Sequence, residues 1–198
     1  MRSRLRRHLQ RGTIILSATG LLTLLGFSGA AAQAASANAP TWHEDVIAYR
    51  IERGGESVAF FYLDLYARQG KRGGAWMADC RVRWRNLRGT VQLPVAFLNC
   101  NFTPPVDGQP SLLTHDEVTT LFHEFGHGLH HMLTQVDVAD VSGINGVAWD
   151  AVELPSQFLE NWCWHPDSLA IIAAHHETGE PLPQDMLDKL LAAKNFQA

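Results

Sequence analysis

Cysteine is scarce: three residues in 198, at 80, 100 and 163, with no C-x-x-C spacing. So odd and scattered a set excludes the disulfide framework on which small exported domains rely. Cys100 falls in a strand-like alternation and Cys163 lies between Trp162 and Trp164, so packing is their expected role. Tyrosine is equally sparse, at 49, 62 and 66 and nowhere later. No acidic residue precedes Glu44, and no internal repeat or low-complexity tract follows the Ala-rich N-terminal stretch. Positive charge is short as well. The 16 basic and 20 acidic residues include five arginines before residue 37, and without that segment 11 basic face 20 acidic side chains, a net of −9. Such a balance excludes nucleic acid as a partner, since that needs a positive footprint. The basic run Arg81-Val-Arg-Trp-Arg-Asn-Leu-Arg88 interleaves charge with apolar residues, as a half-solvated strand or hairpin does.

Those five arginines (2, 4, 6, 7 and 11) precede a largely apolar, uncharged run over 14–32. Ala32-Gln33-Ala34 and Ala35-Ser36-Ala37 both fit small-x-small cleavage sites. Basic, apolar and small-residue regions in that order read as a signal peptide over residues 1–37. The expected location is periplasmic or secreted, with membrane contact only through an uncleaved leader.

Residues 123–127 read His-Glu-Phe-Gly-His. On a helix, two imidazoles four residues apart stand about 40° apart around the axis and one turn along it. Both can aim a ring nitrogen at one ion, and Glu124 between them can reach a water there. This is the arrangement of a zinc peptidase: one Zn²⁺ per chain, His123 and His127 as ligands and Glu124 as general base. The flanks predict the helix. Thr114 and Glu117 fit a capping box, and Val118, Leu121, Phe122, Phe125, Leu129, Met132 and Leu133 form an apolar stripe. Gly126 and Gly128 each cost roughly 1 kcal/mol of helix propensity against Ala, so a close approach to the backbone is expected there.

A third ligand is required. His130 stands about 10 Å along the axis from His123 and reaches a shared ion poorly. Glu153 is the better placed, because the turn signal Ser142-Gly143-Ile144-Asn145-Gly146 lets the chain reverse and lie beside the first helix. Pro155 is expected to kink or to start that second segment. His165, His175 and His176 lack partners at ligand spacing and read as surface or structural residues.

The run FHEFGHGLHHMLTQVDVADVSGINGVAWDAVELPSQFLENWCW (122–164) resembles the active-site core of the thimet oligopeptidase family of zinc peptidases. FYLDLYAR (61–68), KRGGAWM (71–77) and PVAFLNCNF (94–102) carry the likeness upstream, so that it spans residues 41–198. The resemblance implies His123, His127 and Glu153 as metal ligands and Glu124 as catalytic base. It also implies a zinc-dependent endopeptidase that hydrolyses short peptides by a zinc-activated water. Family members are much longer and carry a later Tyr-rich loop that contacts substrate, whereas this sequence has no tyrosine after Tyr66. The alternative expectation is therefore a catalytically weak zinc-binding fragment or partner-binding module. The family also implies a cytoplasmic location as the alternative to export.

The expected fold is α+β and zincin-like, mostly helical with a small antiparallel sheet beside the HExxH helix. A partial metallopeptidase catalytic domain is expected over 41–198. Its strands are predicted at 46–51 and 57–66 around Gly54-Gly55, and at 95–102; helices are predicted at the His pair, at Glu153 and over 166–195. A second chain is an expected partner, covering core surface left exposed by so short a domain.

Overall fold

The computed structural model describes residues 30–34 and 39–195. Residues 1–29 and 35–38, with most of the expected leader, lie outside the described residues. Seven strands come first: β1 (Ala30–Ala34), β2 (Ile47–Arg53), β3 (Glu56–Tyr66), β4 (Trp76–Arg81), β5 (Trp84–Arg85), β6 (Val91–Gln92) and β7 (Val95–Phe102). Four α-helices follow: α1 (His115–Met132), α2 (Leu154–Glu160), α3 (Pro166–Ile172) and α4 (Gln184–Lys194). Strand and α-helix hold comparable shares of the described residues, so the α+β class is seen but the expected helical majority is not. Among the described residues no helix is long and apolar enough to cross a membrane.

Five strands form one sheet in the order β1-β2-β3-β7-β4, and β5-β6 form a separate two-stranded hairpin. β2 and β3 pair antiparallel around Gly54 and Gly55, whose φ values of 60° and 84° require glycine there. β3 and β7 run parallel, so the sheet is mixed where an antiparallel one was expected. Alternation marks a strand but carries no information on the direction of its partner. Here residues 67–94 insert β4 and the small hairpin before the chain returns alongside β3. At the opposite edge, Ala30–Ala34 pairs antiparallel with β2 at the boundary where leader cleavage was expected.

One face of the sheet packs on α1. Ile51, Ala59, Phe61, Ala96 and Leu98 meet Val118, Phe122, Phe125, Leu129 and Met132, the apolar stripe read from the sequence. Phe61 and Phe125 touch edge to face with centroids 5.6 Å apart. Leu159, Cys163, Leu169 and Ile172 close the core from the later helices. The predicted helix over 166–195 is instead two, because Gly179 at φ 72° and Pro183, the N-cap of α4, interrupt it. All three cysteines are free; burial pushes the Cys100 and Cys163 thiols up to about 12.

An ion cluster pins the segment between β3 and β4. Both guanidinium arms of Arg68 donate to Asp64 at 2.7 and 2.8 Å, Lys71 Nζ donates to Asp64 Oδ1 at 2.9 Å, and Trp42 Nε1 donates at 3.1 Å. Lys71 also reaches the carbonyls of Asp64, Tyr66 and Cys100, and its side chain is 4% exposed. Burial pushes the Asp64 carboxyl up, but donors from Arg68, Lys71 and Trp42 outweigh it and hold it at about 2. A depressed carboxylate stabilises the fold above its unfolded value of about 3.9, and that contribution fades as pH falls towards 2. Asp64→Ala leaves the Lys71 ammonium buried without its counter-ion. Urea unfolding near neutral pH should show a loss of about 3–5 kcal/mol.

Candidate metal centre

α1 forms where the sequence signals it. Thr114 Oγ1 accepts from the Glu117 N–H at 3.3 Å, and Glu117 Oε2 accepts from the Thr114 N–H at 2.8 Å, completing the capping box. The chain then reverses through a loop fixed by Gly143. A Cβ at that position would sit 2.5 Å from His131 Nδ1, and φ is 64°, so only glycine fits. Asp137 accepts from Arg83 and Arg85, both at 2.8 Å, so two arginines of the basic run tie the β5-β6 hairpin to this loop.

α2 starts at Leu154 with Glu153 as its N-cap residue and Pro155 in its first turn, so the proline starts the helix rather than kinking it. It crosses α1 at Gly126, where an added Cβ would lie 2.6 Å from Pro155 O and 2.6 Å from Ser156 Cα. This is the close approach expected from the glycine. At Gly128 the neighbour is the Leu98 side chain, with Cδ2 at 3.0 Å. Gly126→Ala therefore collides with backbone, whereas Gly128→Ala meets a side chain that can turn. Overpacking typically costs about 1–3 kcal/mol. Thermal unfolding should place Gly126→Ala at the upper end of that range, Gly128→Ala below it, and only Gly126→Ala should also weaken metal binding by lifting Glu153 away.

The crossing brings the predicted ligands together. His123 Nε2 and His127 Nε2 each lie 3.1 Å from the same oxygen, Glu153 Oε2, and the three donor atoms are all within 4.8 Å of one another. Donors about 2.1 Å from a shared tetrahedral ion stand about 3.4 Å apart, so two imidazoles and a carboxylate at this spacing fit Zn²⁺. His127 is buried and its Nδ1 has no hydrogen-bond partner among the described residues. Burial holds the His127 imidazole below its ordinary pKa, which favours the neutral, ligating form. Burial pushes Glu153 up, yet the Ser156 hydroxyl, which donates to Oε2 at 2.9 Å, and the two imidazoles keep it below the usual carboxylate range.

Glu124 projects from α1 beside the pair and is 7% exposed. Burial raises its pKa, with the Glu153 charge adding to the rise; His123 and the Met77 N–H on β4 act against it. His130 does not join the group. It lines an apolar cavity of about 710 Å³ beside Gly126, Leu133 and Phe158. Sequence reasoning missed two contributors: the Met77 backbone and Glu160, whose Oε1 lies 2.6 Å from His123 Nδ1. Glu160 was findable, because it follows Glu153 by seven residues, two turns along the same helix face.

Comparison with known proteins identifies relatives of this chain. Oligopeptidase A of Escherichia coli is 64% identical over 158 residues, covering 79% of this chain and 23% of that protein. Organellar oligopeptidase A, chloroplastic/mitochondrial, of Arabidopsis thaliana is 54% identical over 165 residues, 81% of this chain and 21% of its own length. Dipeptidyl carboxypeptidase of Salmonella typhimurium is 42% identical over 158 residues, covering 79% and 23%. The chain spans less than a quarter of the length of these relatives. The sequence model of peptidase family M3 matches residues 19–198, and the chain belongs to that family.

Proposed function

We propose that the chain is the zinc-binding catalytic core of an endopeptidase that acts on short peptides, with Glu124 as general base. The observation that carries this reading is the convergence of His123, His127 and Glu153 next to a buried glutamate of raised pKa. Zn²⁺, when bound, supplies a Lewis acid that polarises the scissile carbonyl and acidifies water. Glu124 takes a proton from the attacking water and delivers it to the leaving nitrogen. β4 ends the sheet order, and no further strand among the described residues pairs with its outer side, which leaves an edge that an extended peptide can join.

The test is turnover of a short quenched fluorescent peptide by the purified chain. Chelation should abolish cleavage and added zinc should restore it; hydrolysis indifferent to chelator would overturn the assignment. A second reading, a zinc-binding fragment that docks a partner and turns over little, is favoured by the apolar cavity and by Trp149 and Phe158, 91% and 64% exposed. Stoichiometric zinc without turnover would select it.

We also propose export, on the Arg-rich start and the apolar run that follows it. One small-x-small site, Ala32-Gln33-Ala34, ends with β1 and the other follows it, so cleavage after Ala34 or Ala37 removes that strand and leaves β2 as the sheet edge. The N-terminal mass of the exported chain tests this.

A further inference from the structure

The two histidines of the metal centre are not equivalent. His127 Nδ1 is buried without a partner among the described residues, while His123 Nδ1 meets Glu160 Oε1 at 2.6 Å. Glu160 is the last residue of α2 and Glu153 is its N-cap, so one short helix presents both carboxylates to His123 from its two ends. The Glu160 side chain is 34% exposed, and among the described residues no Lys or Arg pairs with it. Its short bond to the imidazole is thus the interaction that orders it.

We propose that Glu160 is a positioning residue for the metal centre: it accepts the Nδ1–H of His123 and thereby fixes that ring's tautomer and orientation. A neutral imidazole carries one N–H, and holding it at Nδ1 leaves the Nε2 lone pair pointing at the place shared with His127 Nε2 and Glu153 Oε2. The negative carboxylate also makes the ring a stronger donor. With Glu153 it brings two negative charges to a divalent ion and offsets the ion's charge in a half-buried setting where net charge is costly. This role rests on the zinc reading of the site, and it gives α2 a second function beyond supplying a ligand.

The test uses the full chain stripped of metal, with Zn²⁺ itself as the probe, titrated against a chromophoric chelator. Glu160→Ala should weaken zinc binding about 10–100-fold, the range typical of such outer carboxylates. Glu160→Gln keeps the shape and a neutral acceptor, and should recover part of that loss. A second readout separates positioning from mere stability: ¹⁵N–¹H correlation spectra of the metal-free chain. In the parent chain the His123 Nδ1–H should give a sharp signal protected from solvent exchange, and in Glu160→Ala that signal should broaden or vanish. Zinc affinity of Glu160→Ala within threefold of the parent, or an unchanged His123 Nδ1–H signal, would overturn the proposal while leaving the ligand assignment standing. Unchanged zinc affinity in His123→Ala would instead overturn the metal-site reading, and this proposal with it.

Discussion

Glu124→Gln should keep its zinc and lose peptide hydrolysis by about 10²–10⁴-fold, the contribution typical of a positioned general base. The substitution preserves side-chain volume, and the amide oxygen can still accept the Met77 N–H that faces Glu124. What disappears is the capacity to take a proton. The native environment favours that capacity: burial raises the carboxyl, and a base whose pKa moves towards the working pH transfers protons in both directions more readily. Fold and metal should be unaffected, because Glu124 is not among the three converging donors. The measurement pairs zinc content with turnover of one quenched peptide. Wild-type rates in a zinc-loaded Glu124→Gln chain would assign the proton to another group.

Much of this centre is legible in the sequence. His123 and His127 share a face because helix periodicity puts residues four apart on one side, and the capping box with its apolar stripe made the helix secure. Gly126 announced a close approach without naming the neighbour, which only the crossing of α2 supplies. Glu153 was chosen by spacing and turn signals, and the reversal through Gly143 brings it within reach of both rings. Glu160 is marked only by its place two turns after Glu153 on one helix face, a signal that counts once Glu153 is taken as a ligand. The parallel pairing of β3 with β7 was equally hidden, since direction depends on the connection and not on the strand. Met77 could not be read at all: a backbone N–H has no sequence signature.

His123→Ala and His127→Ala should each abolish stoichiometric zinc, Glu153→Ala should weaken it severely, and His130→Ala should leave most of it in place. The difference between His127 and His130 is one of direction, since only three residues separate them. His127 Nε2 points at Glu153 Oε2, 3.1 Å away, whereas His130 sits against the apolar cavity beyond the crossing of α2. Burial lowers the pKa of His130 as well, so the two rings share a protonation tendency and cannot be told apart by it. Geometry alone separates them. Metal analysis of the four variants reads this directly, and thermal unfolding reads it again: at free zinc 100-fold above Kd the parent chain gains about 2.7 kcal/mol, a gain that His123→Ala and His127→Ala should lose and His130→Ala should keep. Zinc lost equally in His130→Ala and Glu153→Ala would mean that the ion sits on the cavity side of α1, and the ligand set would have to be drawn again around His130.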